Sequence, residues 1–239
     1  MRKNFILVIT LAVLLFPVMS APADGAGTIT GRMLMKDGTP ISGGIVIFFD
    51  LQGESPPAPE RYIRPPDYVA DLENDGSFSL GVPPGEYYIG AVKWQDGQPG
   101  PPRKGDVFFM VKDERSMLRS VEVTENGLVE LGDMAAGEIY NPDLTTATRV
   151  SGTVRDKQGN PVAKIIIAAV PAGQGDKSSL FLAPDTGSDG TYTLRLLGGG
   201  SYKLGIWTTN SADEARRSFT KTIQIDSGDW LLNVDLQLD

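Results

Sequence analysis

Two stretches decide the fold of this chain, because they repeat one order of turn and apolar residues. The first is Ile29-Thr-Gly31-Arg-Met-Leu-Met-Lys-Asp37-Gly38-Thr-Pro40-Ile41 and the second is Val150-Ser-Gly152-Thr-Val-Arg-Asp-Lys-Gln158-Gly159-Asn-Pro161-Val162. Their glycines and prolines are separated by the same 121 positions. A shared order of turns predicts two copies of one fold.

The repeat continues further along the chain. Asp75-Gly76-Ser-Phe78-Ser-Leu80 is followed in the second copy by Asp189-Gly190-Thr-Tyr192-Thr-Leu194, and Gly85-Glu-Tyr87-Tyr-Ile89-Gly90 by Gly200-Ser-Tyr202-Lys-Leu204-Gly205. We therefore predict that Gly38 and Gly159, and likewise Gly76 and Gly190, occupy matching hairpin turns. Glycine suits these places because a tight turn needs a positive φ at one position.

The segments between the turns have the pattern of β-strands. At the C-terminus Leu232, Val234, Leu236 and Leu238 alternate with polar residues, which predicts one half-buried strand. Residues 44–49 and 165–170 are apolar on both faces, which is typical of central strands in a sandwich. Short helices are expected only at 112–119 and 211–217.

Residues 1–23 have the order of a signal peptide. Arg2 and Lys3 precede an apolar run from Phe5 to Val18, and small residues follow. The run is too short to span a bilayer comfortably. We expect an exported protein, periplasmic or extracellular, with no membrane insertion once the signal is removed.

The composition excludes several classes of function. The chain has no cysteine and no histidine, so it cannot form Ser-His-Asp or Cys-His catalytic groups, imidazole zinc sites or histidine-ligated haem. We therefore expect no enzyme activity, no cofactor and no transition metal. Loss of Arg2 and Lys3 takes the formal net charge from −8 to −10, which argues against nucleic acid as a partner.

The repeated motifs carry a resemblance to a known family. Each copy has a glycine, then Gly-x-Pro-(Ile/Val), an apolar strand, Asp-Gly-(Ser/Thr)-(Phe/Tyr)-x-Leu and Gly-x-Tyr-x-(Ile/Leu)-Gly. This order resembles the carboxypeptidase regulatory-like domain, a prealbumin-like β-sandwich of about seven strands, and is similar to the carbohydrate-binding-like fold of starch-binding modules. The motifs are turns and core contacts, so the resemblance implies a fold and no peptidase activity.

The resemblance implies an all-β chain with two tandem Greek-key, prealbumin-like β-sandwiches. The first covers residues 27–134 and the second residues 149–239. Between them lies a linker, 135–148, interrupted by Asn141-Pro142-Asp143. Because this linker is short, we expect the two domains to touch.

The first copy has proline-rich loops that the second copy lacks, and these are the candidate ligand-binding region. Tyr62, Tyr68 and Trp94 lie in or beside loops 52–68 and 94–106 and could present apolar faces to a sugar ring or a protein. Planar hydrogen-bond donors are available from Arg61, Arg64 and Arg103. The alternative is that these loops are tolerated insertions and that the aromatic residues fill or close the sandwich.

An acidic run in the first copy offers a second candidate. Asp71, Glu73 and Asp75 alternate before Gly76, as the first ligands of a calcium loop do. The distal glutamate of such a loop is missing, because Val82 stands at the expected spacing. A hairpin turn with an acidic approach is the alternative interpretation.

Two functions are compatible with these features. The first is an exported, non-catalytic binding module that recognises carbohydrate or a cell-envelope protein through the loops of domain 1. The alternative is a structural or assembly subunit, or a spacer, of an envelope or extracellular complex. Carbohydrate recognition predicts that Tyr62, Tyr68 and Trp94 are exposed in one patch, whereas a structural role predicts them buried or packed against domain 2.

Overall fold

The computed structural model describes residues 25–52, 57–58, 63–142, 145–173, 180–209 and 215–238. The described residues form sixteen β-strands and no helix, so the prediction of an all-β chain is confirmed. None of their segments is a helix long and apolar enough to cross a membrane. The signal peptide expected at residues 1–23 lies outside the described residues.

The N-terminal sandwich consists of two sheets. Its strands are β1 (Gly27–Met35), β2 (Ile45–Asp50), β3 (Tyr68–Asp71), β4 (Ser77–Val82), β5 (Gly85–Lys93), β6 (Val107–Met110), β7 (Ser120–Val123) and β8 (Leu128–Gly137). One sheet has the order β4-β1-β8, with β1 and β8 parallel. The other has the order β3-β2-β5, and β6 and β7 both pair with β5. Ile29, Phe48 and Tyr87 lie in the core between the sheets.

The C-terminal sandwich repeats this arrangement. Its strands are β9 (Thr148–Arg155), β10 (Ile166–Pro171), β11 (Phe181–Leu182), β12 (Thr191–Leu196), β13 (Gly200–Thr209), β14 (Ala215–Ile225), β15 (Trp230–Leu231) and β16 (Leu236–Gln237). In one sheet β9 pairs with β12, β15 and β16, and the other has the order β11-β10-β13-β14. The long β14 takes the place that β6 and β7 share in the first copy. Val150, Phe181 and Leu204 belong to its core.

The strand registers confirm the repeat. Gly31 pairs with Phe78 in the first copy and Gly152 with Tyr192 in the second. The positions predicted as matching turns have nearly equal backbone angles, with φ of 84° at both Gly38 and Gly159, 79° at Gly76 and 76° at Gly190. The predicted turn geometry is therefore confirmed. A tyrosine also closes each sandwich in the same way: Tyr87 donates to the carbonyl of Pro83 and Tyr202 to that of Gly198.

Gly76 and Gly38 offer a matched test of these turns. Both have positive φ, but a Cβ on Gly76 would lie 2.5 Å from the carbonyl oxygen of Met33, whereas nothing lies within 4 Å of one on Gly38. We expect Gly38→Val to cost about 1 kcal/mol through backbone strain alone, and Gly76→Val about 3 kcal/mol because a main-chain clash is added. Urea denaturation of the two variants checks this, and equal losses would contradict the role assigned to Met33.

Aspartates in the turns make stability sensitive to acid. Hydrogen bonds from Ser77 and from Thr191 hold the pKa of Asp75 and Asp189 below the ordinary value of 3.8, and hydrogen bonds from Thr153 do the same for the pKa of Asp235. In the unfolded chain these groups take up protons at their ordinary pKa, while the folded protein still holds them ionised. The unfolded state then binds more protons, so stability falls as the pH decreases.

We therefore expect an unfolding free energy that is steady near neutral pH and falls once the pH drops below about 4. Urea denaturation at pH 7, 4, 3 and 2.5 measures this. Asp235→Asn should reduce the decrease in unfolding free energy at acid pH, because one group with a lowered pKa is removed. Glu114→Gln, at an exposed turn position, should leave that decrease unchanged. A midpoint that does not vary with pH would contradict the assignment.

The helix predictions are wrong where the structure describes these segments. Residues 112–119 form a tight turn, in which Lys112 and Leu118 make an isolated bridge. The carboxylate of Asp113 accepts hydrogen bonds from the amides of Arg115 and Met117, and Ser116 has a φ of 61°. A side-chain acceptor competes here with the helical pattern. In the second segment, residues 215–217 belong to β14 and 211–214 lie outside the described residues.

The single C-terminal strand predicted from alternation is also interrupted. β15 ends at Leu231 and β16 begins at Leu236. Asn233 between them has a φ of 58°, which rotates the chain. Val234 and Leu236 are buried as predicted, but Leu232 is 52% exposed. Strand β8 has an irregularity at the same place, where Gly132 has a φ of 66°.

The segment between the sandwiches is attached to the first of them. β8 continues to Gly137, Ile139 bridges to Val107, and Tyr140 packs its ring on Phe108 at 5.2 Å. The predicted linker 135–148 thus begins with paired residues. The domain limits themselves, 27–134 and 149–239, stay a prediction.

Candidate functional site

The contact between the two sandwiches is direct, as the short linker predicted. The amide of Leu182 in β11 donates to the carbonyl of Ile63 at 2.9 Å. Ala58, from the first proline-rich loop, packs against the core of the C-terminal sandwich. Loop 52–68 therefore lies against the second copy over part of its length.

Loop 94–106 reaches the second copy through an ion pair. The buried carboxylate of Asp106 accepts the amides of Gln95 and Arg103 and so fixes the shape of the loop. The guanidinium of Arg103 then donates from Nε to Asp185 at 2.7 Å. It also faces Asp96 of its own loop at 3.3 Å. Both partners of the Arg103–Asp185 pair are about three-quarters buried, which strengthens the pair relative to an exposed one.

Tyr140 forms a third connection. Its hydroxyl accepts a hydrogen bond from Nη2 of Arg195 at 2.7 Å, and both side chains are buried. Its ring rests on Phe108 of β6. One residue between the sandwiches therefore contacts strands of both.

These connections enclose a cleft of about 790 Å³, part of it open to solvent. One wall is the outer face of β2, β5 and β6, and the opposite wall is the outer face of β10, β11 and β13. Equivalent positions of the two copies contribute to it: Ile45 pairs with Val92 in the first sheet and Ile166 with Trp207 in the second, and all four line the cleft. Prolines of both proline-rich loops close its side.

The structure separates the aromatic residues of the candidate ligand-binding region. Tyr68 packs towards the core of the N-terminal sandwich, with its ring 5.7 Å from that of Tyr87. Burial, followed by the charges of Asp50 and Asp67, raises the pKa of Tyr68. Trp94 lies on the other side of the same sheet, in the cleft, and its indole donates to the carbonyl of Gly100 at 2.8 Å. The two rings do not share a patch.

The two described arginines of the candidate ligand-binding region also have different surroundings. Arg64 is buried in the wall of the cleft, and Arg103 is engaged with Asp185 and Asp96. Arg61 and Tyr62 lie outside the described residues. The structure therefore brings together Arg64 and Trp94, and the assignment of all six residues to one ligand site stays a prediction.

Sequence reasoning missed the residues that complete the cleft, chiefly Phe49, Phe108, Leu182 and Trp207. For Phe49 a signal was present, because it ends one of the two segments that are apolar on both faces. These were interpreted as central strands, and the residues of β2 show what the pattern means. Phe48 faces the core, while Phe49 faces the cleft.

The acidic run does not form a cluster. Among the described residues there is no group of three acidic side chains placed to hold a metal ion. The carboxylate of Asp75 accepts the amide of Ser77, and the main chain of Glu73 pairs with Ser77. These bonds build the hairpin turn that was the alternative to a calcium site at Asp71, Glu73 and Asp75.

Comparisons with known proteins give structural likeness only. No family model matches the chain, and no curated protein matches it. Among solved structures it is similar to the Bacillus anthracis TIE protein, with a TM-score of 0.29 and 10% identity over 89% of this chain. A streptococcal ancillary pilin gives a TM-score of 0.29 and 12% identity over 89%. BcpA, the major pilin subunit of Bacillus cereus, gives 0.27 and 6% over 89%.

The chain spans 34% of the TIE protein, 62% of the ancillary pilin and 99% of BcpA. TM-scores this far below 0.5 do not bear on what the protein does. The carboxypeptidase regulatory-like assignment therefore stays a prediction, while the β-sandwich architecture is read from the strands themselves.

Proposed function

We propose that this protein is an exported, non-catalytic structural subunit whose two sandwiches form one stiff unit within an extracellular or cell-envelope assembly. The observation that carries the proposal is the use of the proline-rich loops. Ile63, Ala58 and Arg103 all contact the C-terminal sandwich. Arg103, a candidate for capturing a ligand, thus connects the two copies, and so do Ala58 and Ile63 of the first proline-rich loop.

Carbohydrate recognition by these loops has less support. Flat binding of a sugar ring needs aromatic faces presented together, and Tyr68 and Trp94 lie on opposite sides of one sheet. The ancillary pilin and BcpA are pilus proteins by name, but the proposal for this chain stands on its own contacts.

Stiffness follows from the number and kind of connections. A hydrogen-bonded main-chain contact, a partly buried ion pair and the Tyr140–Arg195 contact act together, and interfaces with few connections leave domains free to move. A subunit that sets distances in an assembly needs such a fixed geometry. Prolines in both connecting loops reduce the conformations that they can sample.

The Arg103–Asp185 pair provides the test of stiffness. Because the chain has no cysteine, Glu114→Cys and Lys157→Cys create unique sites for spin labels at exposed turns of the two sandwiches. We expect a narrow distance distribution in the parent protein and a broad one after Asp185→Arg, since an interaction of about 1 kcal/mol becomes a repulsion. Adding Arg103→Asp should narrow it again.

Asp133→Arg is the matched control. It reverses a charge that pairs with Arg32 inside the N-terminal sandwich, so it should leave the distance distribution unchanged. A broad distribution in the parent protein would show that the sandwiches move independently and would count against a spacer.

The assembly role is tested separately, in the organism that produces the protein. Native electrophoresis of gently extracted surface and envelope fractions should show it in a complex well above the 25.7 kDa of the chain. Migration only as a free monomer would contradict an assembly subunit while leaving the stiffness result intact.

A further inference from the structure

Arg64 is the one charged side chain among the described residues that line the cleft, and it is incompletely hydrogen-bonded. Only 3% of its side chain is exposed, and its Nη1 faces Asp67 at 3.4 Å. Its Nε and Nη2 are buried and have no hydrogen-bond acceptor. The guanidinium instead lies 4.7 Å from the centre of the Phe49 ring. Buried polar groups are nearly always paired, so two unpaired donors on one buried cation indicate that a ligand supplies the hydrogen-bond acceptor.

The two unpaired atoms define what kind of acceptor fits. Nε and Nη2 lie on the same edge of the planar guanidinium, and their N–H bonds point in nearly the same direction. A carboxylate matches this edge with its two oxygens and can accept both hydrogen bonds at once. Asp67 does not do this, because it approaches the opposite nitrogen.

The rest of the cleft lining indicates the chemistry of the part of the ligand that does not contact Arg64. Apart from Arg64 its described lining has no charged side chain, and Trp94 already uses its indole N–H on Gly100. A sugar or a peptide would bring polar groups that find no partners there. The walls are faces of sheets rather than free edges, so they offer no main-chain ladder to an extended peptide.

We propose that the cleft between the two sandwiches binds an amphiphilic carboxylate of the fatty-acid type. The carboxylate pairs with the Nε and Nη2 edge of Arg64. The apolar chain lies between Phe49 and Trp94 of the first sandwich and Trp207 of the second. This inference does not depend on the assembly role, since it uses only the geometry of the cleft.

Two of the three tryptophans of the chain line the cleft, so binding can be followed by tryptophan fluorescence and by calorimetry. The probe is decanoate, titrated below the concentration at which it forms micelles, into the full exported protein. We expect saturable binding with one molecule per chain. Decyltrimethylammonium, which has the same chain and the opposite charge, should not bind.

Arg64→Met removes the charge and keeps much of the side-chain volume. It is expected to weaken decanoate binding at least tenfold, because a two-point charged hydrogen bond is lost. Arg32→Met, at an exposed arginine paired with Asp133, is the control and should bind decanoate as the parent does. Trp207→Ala tests the opposite wall independently and should weaken binding, because the apolar contact with the ligand becomes smaller. This variant still tests the proposal if Arg64→Met does not fold.

Three results with the parent protein, Arg64→Met and the cationic probe would overturn the proposal, and a fourth would come from Trp207→Ala. These are no binding of decanoate by the parent protein up to millimolar concentration, equal affinity in the parent and in Arg64→Met, and equal binding of the cationic probe. The last two would mean adsorption to the apolar walls without recognition of a carboxylate. Unchanged affinity in Trp207→Ala would place the chain of the ligand outside the cleft and would contradict the proposal as well.

Discussion

Gly152→Ala is expected to lower the free energy of unfolding by about 3 kcal/mol, at the upper end of what overpacking usually costs. A Cβ at this position in β9 would lie 2.1 Å from the carbonyl oxygen of Val234 and 2.4 Å from its carbonyl carbon. Both are main-chain atoms, so no side-chain rotation can relieve the overlap. Val234 is further fixed because the hydroxyl of Tyr192 donates to the same oxygen at 2.6 Å.

The repeat provides a matched control for this substitution. Gly31 is the equivalent glycine of the first copy, and the nearest atoms to its added Cβ lie at 3.2 Å. Gly31→Ala is therefore expected to cost about 1 kcal/mol, since small shifts accommodate the methyl group. Urea denaturation followed by circular dichroism measures both variants. Equal losses would mean that the close approach of Val234 relaxes freely.

The contrast between these glycines shows what the sequence could and could not predict. Aligning Gly31 with Gly152 was possible from turn spacing alone, and the strand registers agree with it. The crowding differs between the copies, and so does the facing residue: it is Phe78 in one copy and Tyr192 in the other, and the tyrosine hydroxyl bonds to the crossing chain at Val234. A hydroxyl that acts across 42 residues leaves no local pattern.

Failures of the sequence analysis have a similar cause. At 112–119 the carboxylate of Asp113 organises a turn, and at Asn233 a positive φ breaks a strand that alternates perfectly in sequence. In each case one residue overrides the periodicity of its neighbours. Periodicity averages over a segment, and it therefore cannot register a single decisive residue.

The candidate site was predicted only in part for a different reason. Arg64 and Trp94 were selected because they are unusual residues in loops that the second copy lacks. Trp207 was not selected, because it lies outside the loops that distinguish the first copy. Residues at equivalent positions on the outer sheet faces of the two copies line one cleft only because the sandwiches pack against each other. The pairing of Arg103 with Asp185 is likewise a contact over 82 positions.

Phe48→Ala is expected to have a still larger effect than Gly152→Ala, at about 4 kcal/mol. Phe48 is fully buried, and its ring makes edge contacts with Phe78 at 6.0 Å and Tyr87 at 6.5 Å. Removing the ring leaves a cavity in the centre of the N-terminal core, where strands on both sides prevent collapse. The loss should appear in the urea midpoint, and the spacing of labels at Glu114→Cys and Lys157→Cys should stay as in the parent.

Phe49→Ala, one residue further along β2, should behave differently although Phe49 is only 3% exposed. Successive side chains of a strand point to opposite faces, so this ring lies in the cleft beneath Arg64. Its removal enlarges a space that already opens to solvent, and we expect a loss of about 2 kcal/mol together with a broader label distance. If Phe49→Ala leaves the label distance narrow, the outer face of β2 does not hold the sandwiches together, and the contacts of Ile63, Arg103 and Tyr140 with the second copy fix their geometry.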